Sequence, residues 1–220
     1  MKKFNAAIFD FDGTIADSGD GIINCAIYAL KKFGIEENDR VKLRYFIGPP
    51  LYDSFMDLYG VSREESETLV GYYRERYATL GCEEASLYPG VAELLKTLRE
   101  HGVKTGVCSS KPQPFIEKIA ARLGVLDSFD FISGISLHYK DAEKDRLLRI
   151  ALEGLKIEDK SEAVMIGDRH FDIDAAKKVG VTSVGAVYGF GSREELTAAG
   201  ADYLVDSAPE IEKIVLGEEK

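Results

Sequence analysis

The sequence is poor in cysteine and in long apolar runs. It has three cysteines, Cys25, Cys82 and Cys108, and this odd, low number argues against a disulfide framework. No apolar run approaches the ~20 residues that a membrane-spanning helix needs, and the first residues lack the apolar stretch of a signal peptide. We therefore expect a cytoplasmic protein in a reducing compartment, without a membrane partner.

Positive charge is also scarce. Lysine and arginine number 28 against 38 aspartates and glutamates, so the formal net charge is −10 and the pI is about 4.9. An acidic surface repels nucleic acid and anionic membranes, so neither is an expected partner. A small anionic substrate remains compatible with this charge if a divalent cation supplies local positive charge. The sequence is equally compatible with a monomer and with a homodimer.

What the chain does have is an alternation of short apolar runs with helix-like stretches. Strands are predicted at residues 6–9, 105–108, near 131–132, 163–166, 182–187 and 203–205. Ser192 with Glu195 and Ser207 with Glu210 form Ser-x-x-Glu boxes that predict the starts of the last two helices. Strand–helix alternation requires crossover connections, so the expected fold is α/β, with a doubly wound parallel sheet.

Strand signals disappear between residues 17 and 83. Apolar residues recur there at helical spacing, as from Ile22 to Phe33, and Ser62 with Glu65 forms a capping box at a second long helix. We therefore predict an α/β core domain of residues 1–16 and 84–220 and a small helical domain of residues 17–83 inserted after the first strand.

Reactive residues follow three of the predicted strands: Asp10 and Asp12 after the first, Ser109 and Ser110 after the second, and Asp168 after the fourth. Ligands of open α/β sheets bind at the carboxyl ends of the strands, so we expect these side chains in one crevice. An EF-hand is excluded, because counting from Asp10 or Asp168 puts neither glycine at the sixth loop position nor glutamate at the twelfth.

The spacing of Asp10 and Asp12 suits acid–base or nucleophilic chemistry. Residues two apart in an extended chain face the same way, about 7 Å apart, so one carboxylate could attack while the other handles a proton. Gly13 would let the backbone turn and approach a ligand. The alternative is a solvated acidic turn at the end of a strand.

Ser109 and Ser110 precede a helix that we expect to begin near Pro112, with Pro112 in its first turn. Hydroxyl and N–H groups at a helix start bind anions, although an ordinary N-cap is an equal alternative. Hard carboxylate oxygens from Asp10 and Asp168 suit Mg²⁺.

Two acids and two lysines are less decisive. Asp172 and Asp174 extend the acidic cluster or only cap a helix. Lys140 and Lys144 could each neutralise a phosphate, or be solvated surface residues.

Together these residues resemble the four motifs of the haloacid dehalogenase superfamily of phosphatases. The matches are Asp10-Phe11-Asp12-Gly13-Thr14, then Ser109, then Lys144 (or Lys140), then Gly167-Asp168 with Asp172. Their order agrees with that superfamily, and the helical insert between the first two motifs is similar to its helical cap class.

The resemblance implies a Mg²⁺-dependent phosphomonoester hydrolase. Asp10 would form an aspartyl-phosphate, and Asp12 would act as acid and then as base. Mg²⁺ would be held by Asp10, Asp168 and the backbone carbonyl of Asp12, supported by Asp172. Residues Ser109, Ser110 and Lys144 would bind the phosphoryl oxygens.

Three further segments resemble the phosphoglycolate phosphatase and bacterial 5′-nucleotidase branch: residues 46–51, 109–112 and 188–192. This implies a small phosphorylated metabolite as substrate. Arg44, Gly48, Pro49 and Pro50 would then contact its leaving group, although Gly48 to Pro50 could also be a plain helix–helix turn.

Alternative functions stay open at this point. A sugar phosphomutase would need a second phosphate site, for which only Lys111 and Arg44 offer themselves. A non-catalytic binding protein on the same fold would more typically have lost an acid, whereas Asp10, Asp12 and Asp168 are all present. A dehalogenase is disfavoured because Asp12 and Gly13 match the phosphatase motif.

Overall fold

A computed structural model of the chain describes residues 3–137 and 143–217. These residues form two compact units. One comprises residues 3–17, 87–137 and 143–217, and the other comprises residues 18–86. Across the described ranges, no helix is both long enough and apolar enough to cross a bilayer.

The first unit is built on a six-stranded parallel sheet in the order β5-β4-β1-β6-β7-β8. Its strands are β1 (Ala6–Phe9), β4 (Lys104–Pro112), β5 (Phe131–Ile135), β6 (Ala163–Gly167), β7 (Thr182–Ala186) and β8 (Tyr203–Val205). Two short strands, β2 (Ala16–Asp17) and β3 (Ser86–Leu87), pair separately. The predicted α/β fold with a doubly wound parallel sheet is confirmed.

A helix follows each strand from β3 onward along the chain. These helices are α5 (Val91–Glu100), α6 (Gln113–Arg122), α7 (Lys144–Gly154), α8 (His170–Val179), α9 (Arg193–Ala199) and α10 (Ala208–Leu216). β1 pairs with β4 on one side and with β6 on the other, and all four of its residues are buried. Burial on both faces explains why the run Ala6–Phe9 is entirely apolar rather than alternating.

β4 is longer than predicted, and this corrects the expected position of Pro112. β4 pairs with β1 only as far as Val107, opposite Phe9. It then continues, and after a shift of register it pairs again with β5 at Pro112, opposite Ile135. The serines after Cys108 therefore lie on an extended strand, Pro112 is the N-cap of α6, and the proline in the first turn is Pro114.

The Ser-x-x-Glu boxes form to different extents. Ser62 and Glu65 make both reciprocal hydrogen bonds. Ser192 accepts from the Glu195 N–H, but the Glu195 carboxylate accepts from His170 instead of closing the box. At α10, Ser207 contacts the Glu210 side chain and does not cap the helix. Both helices nevertheless begin directly after the predicted serines.

The second unit is helical. Its helices are α1 (Gly19–Phe33), α2 (Arg40–Leu43), α3 (Leu51–Tyr59) and α4 (Arg63–Tyr77). Its buried residues include Leu30, Leu69 and Phe55, and the rings of Phe46 and Phe55 meet edge to face with centroids 4.6 Å apart. The segment from Ile47 to Pro50 connects a 3₁₀ turn to α3, and Gly48 adopts φ +108° there.

Candidate active site

Asp10 directly follows β1, at the point where the order of strands in the sheet reverses. Its N–H donates to the carbonyl of Ile166 at 2.8 Å, which extends the pairing with β6 by one residue. The N–H of Phe11 donates to Asp10 Oδ1 at 2.6 Å. A reversal of this kind opens a crevice between the carboxyl ends of neighbouring strands, so Asp10 lies where ligands of such sheets bind.

Lys144, the first residue of α7, bridges two carboxylates. Its Nζ lies 2.8 Å from Asp10 Oδ2 and 2.9 Å from Asp172 Oδ1, and the side chain is only 9% exposed. Burial by itself would lower the pKa of this ammonium group, but Asp10 and Asp172 raise it well above its usual value. Lys144 is therefore a fixed positive charge beside Asp10. The alternative lysine of the sequence prediction, Lys140, lies outside the described residues.

Three carboxylates converge in this place. Asp10, Asp168 and Asp172 each present an oxygen within 4.8 Å of the others, and both Asp168 and Asp172 are fully buried. Asp172 also accepts a hydrogen bond from the Arg169 N–H at 3.2 Å, so it caps α8 as well as facing Lys144. Its Oδ1 is buried and makes no aligned hydrogen bond. Asp174, two residues further on, is exposed and is not among the three.

This donor set fits Mg²⁺. All its donors are carboxylate oxygens, the ligand type that Mg²⁺ prefers. Counting Asp12, the site contains four carboxylates but only two ammonium groups, those of Lys144 and Lys111. One divalent cation would balance the excess negative charge.

The crowding raises the pKa of two carboxyl groups. Burial, together with the charges of Asp172 and Asp12, raises the pKa of Asp10 to about 6, although Lys144 opposes the shift. Burial and the charges of Asp172 and Asp10 raise the pKa of Asp168 well above its usual range. Carboxylates with raised pKa values that surround a common point are typical of functional sites.

A loop after β7 encloses Asp168. The N–H of Phe190 donates to Asp168 Oδ2 at 2.8 Å, and the Thr14 hydroxyl donates to Oδ1 at 3.3 Å. A Cβ on Gly189 would lie 2.3 Å from the Asp168 Cβ, and one on Gly13 (φ +86°) would lie 2.2 Å from Asp168 Oδ2. The turn predicted at Gly13 therefore does bring backbone close to the site. From the sequence, residues 188–192 show only a resemblance to one branch of the superfamily, and no role in the site is predicted for them.

Asp12 has a different partner. Lys111 Nζ lies 2.9 Å from each carboxylate oxygen of Asp12, and the two side chains are 5% and 17% exposed. Lys111 is buried even though it stands next to the half-buried Ser110. The sequence predicts for Lys111 only a possible contact with a second phosphate, because no sequence pattern shows that two residues 99 positions apart meet.

The remaining predicted residues lie in two places. Ser109 is buried, and its Oγ accepts from the Lys111 N–H at 3.3 Å. Ser109 and Ser110 both lie on β4 beyond the end of its pairing with β1. The other predicted residues belong to the helical unit, where Arg44, Gly48 and Pro50 are exposed and Pro49 is half-buried.

Comparison with known proteins identifies the family. The model of haloacid dehalogenase-like hydrolases matches residues 7–186, and the chain belongs to this family. It is 39% identical to a 5′-nucleotidase of Pseudomonas aeruginosa, over 89% of this chain and 88% of that protein. Together with the site, these similarities make the chain a phosphatase of that family.

Two examples come from the solved structures that resemble nearly the whole chain. One is a predicted phosphatase from Clostridium acetobutylicum, with a TM-score of 0.92, 40% identity and coverage of 97% of this chain and 99% of that one. The other, from Lactobacillus delbrueckii subsp. bulgaricus, carries the provisional name phosphoglycolate phosphatase, with a TM-score of 0.88, 26% identity and coverage of 99% and 100%.

Proposed function

We propose that this phosphatase hydrolyses small phosphomonoesters with Mg²⁺ through an aspartyl-phosphate on Asp10. The observation that carries the proposal is the placement of Asp10, which adjoins Lys144 at 2.8 Å and shares an acidic cluster with Asp168 and Asp172. A nucleophilic carboxylate needs a neighbouring positive charge in order to meet a phosphate dianion, and this cluster supplies one ammonium group and a site suited to a cation.

The residues that would hold Mg²⁺ are Asp10, Asp168 and the backbone carbonyl of Asp12, with Asp172 as outer support. A bound Mg²⁺ reduces the repulsion between nucleophile and phosphate and stabilises negative charge on the transferred group. The contacts of Asp168 with Phe190 and Thr14 would keep its carboxylate oriented toward the cation.

Asp10 would attack phosphorus in line with the ester bond. A bond forms between a carboxylate oxygen of Asp10 and phosphorus, and the bond from phosphorus to the leaving oxygen breaks. Lys144 holds Asp10 in place. Together with Ser109 and the backbone near Ser110, it would also bind the phosphoryl oxygens, so that positioning and electrostatics supply most of the rate.

Asp12 would manage the protons of both steps. It would first donate a proton to the leaving alcohol and then take one from the water that attacks the aspartyl-phosphate, which releases phosphate and restores Asp10. A second carboxyl group separate from the nucleophile suits this task. Asp12 is such a group: its carboxylate contacts Lys111, whereas the carboxylate of the nucleophile Asp10 contacts Lys144.

The proposed substrate is a nucleoside 5′-monophosphate or a small ester of the phosphoglycolate type. The names of the Pseudomonas and Lactobacillus relatives support these two classes. We propose that residues 17–83 are a helical cap domain and that residues 1–16 and 84–220 are the core domain. We also propose that Arg44, Gly48, Pro49 and Pro50 influence the choice of leaving group. The proposed setting is the cytoplasm, with neither nucleic acid nor membrane as a partner.

A screen over phosphorylated metabolites, with Mg²⁺ and with EDTA, tests the proposal. We expect Mg²⁺-dependent phosphate release from the wild type and none from Asp10→Asn. Asp174→Asn is the matched control, because it removes an exposed acid from α8 and should stay active. Full activity of Asp10→Asn, or equal wild-type release in EDTA, would refute the mechanism.

A further inference from the structure

The contact between Lys111 and Asp12 joins a buried lysine to a partly buried aspartate that is far from it in the sequence. Both carboxylate oxygens of Asp12 are 2.9 Å from the same ammonium nitrogen. Asp12 follows β1, and Lys111 lies on the part of β4 that extends past the end of β1. A contact to both oxygens restricts rotation of the carboxylate about the Cβ–Cγ bond of Asp12, which a contact to one oxygen does not do.

The geometry also limits how far Lys111 can lie from the reaction. An acid that protonates a leaving oxygen must come within about 2.6–3.2 Å of it. With Lys111 Nζ at 2.9 Å from Asp12, the ammonium lies within about 6 Å of the leaving oxygen while the contact holds.

A purely structural purpose does not account for this pair. A buried ion pair adds little stability compared with apolar residues of the same size, because desolvation offsets most of the attraction. The sheet around it already has a fully buried apolar core at β1. Orienting a group that must be placed accurately is a better explanation for burying a lysine here.

We propose that Lys111 is the positioning residue of Asp12, holding its carboxylate toward the leaving oxygen through the contact with both oxygens. The inference rests on the proposed function, in which Asp12 transfers the protons. Lys111 would then act through Asp12 and not on the transferred phosphoryl group, which Lys144 and Ser109 would bind.

The test compares Lys111→Met with Asp12→Asn on two substrates, an alkyl phosphate and an aryl phosphate with a good leaving group. Misplacing a catalytic group by about 1 Å costs roughly 100-fold, so we expect Lys111→Met to lower kcat for the alkyl phosphate by about 10- to 100-fold. The aryl phosphate, which needs little protonation, should lose less than about threefold, with KM little changed for either substrate. Lys111→Arg should recover part of the loss.

The double variant, Lys111→Met with Asp12→Asn, tests directly whether Lys111 acts through Asp12. If Lys111 acts through Asp12, then adding Lys111→Met to Asp12→Asn should lower kcat by less than about threefold more. Additive losses, or equal losses on both substrates, would overturn the proposal. Lys111→Gln repeats the comparison if the methionine variant does not fold.

Two controls separate the possible failures. Lys104→Met removes another lysine from β4, one that donates to the carbonyl of Leu155, and should leave the substrate ratio unchanged. The rise in melting temperature with Mg²⁺ should persist in Lys111→Met, showing an intact acidic cluster. A wild type without Mg²⁺-dependent hydrolysis would refute the proposed function itself, whereas an active wild type with additive variants refutes only the role of Lys111.

Discussion

Asparagine in place of Asp10 should make the metal-free protein more stable at pH 8. The folded structure holds this carboxyl group 13% exposed, close to Asp172, and its pKa is raised to about 6 from 3.8. Between these two pH values the unfolded chain has released its proton while the folded chain still holds it. The free energy of unfolding therefore falls as the pH rises through this window and stays lower above it.

The size of the effect follows from the shift. Each pKa unit corresponds to about 1.4 kcal/mol, so ionised Asp10 lowers stability by about 3 kcal/mol at pH 8 and by about 1.5 kcal/mol at pH 5. Asparagine has nearly the same shape and no charge, so Asp10→Asn should gain about these amounts. The substitution also removes a charge that raises the pKa of Asp168, which adds to the advantage of Asp10→Asn at pH 8.

Urea unfolding in EDTA at pH 5 and pH 8 measures the difference. Adding Mg²⁺ at pH 8 should reduce the advantage of Asp10→Asn, because a bound cation stabilises the wild-type carboxylate. The reasoning is refuted if Asp10→Asn is no more stable than the wild type at pH 8, or if its advantage is the same at both pH values.

Four further outcomes are expected. Asp12→Asn should slow hydrolysis of alkyl phosphates more than that of activated aryl phosphates, and equal loss in steady-state assays would contradict its acid role. Gly189→Ala should weaken Mg²⁺ affinity about tenfold in a titration of melting temperature, because the new Cβ meets Asp168 at 2.3 Å and displaces the loop that orients it; unchanged affinity would count against that orientation. Lys144→Met should abolish hydrolysis and destabilise the metal-free protein by about 3–5 kcal/mol in urea at pH 8, since Asp10 and Asp172 lose their shared cation; unaltered stability would contradict the bridge. Pro49→Ala should shift substrate preference across a metabolite panel while leaving Mg²⁺ affinity unchanged, and an unshifted panel would remove this segment from substrate choice.

The strand framework could be predicted because local signals specify it. Fully apolar runs such as Ala6–Phe9 must be buried on both faces, and the acids that follow them then lie at one edge of the sheet. The position of Asp168 at the end of β6 follows from the same pattern. These features depend on residues adjacent in sequence, so local sequence patterns are sufficient to predict them.

Contacts between distant segments could not be predicted in this way. Lys111 meets Asp12 only because β4 runs past the end of β1, and the extra length of β4 depends on its second pairing with β5. The N–H of Phe190 reaches Asp168 because glycine on either side lets the backbone approach. Register and close packing decide both contacts, and neither leaves a periodic trace in the sequence.

The stereochemistry at phosphorus tests the proposed intermediate most directly. A thiophosphate ester made chiral with one oxygen isotope is hydrolysed in water carrying another, and the configuration of the product is determined. Attack by Asp10 followed by attack of water inverts phosphorus twice, so we predict net retention. Net inversion would show a single direct displacement by water and would contradict the aspartyl-phosphate at Asp10.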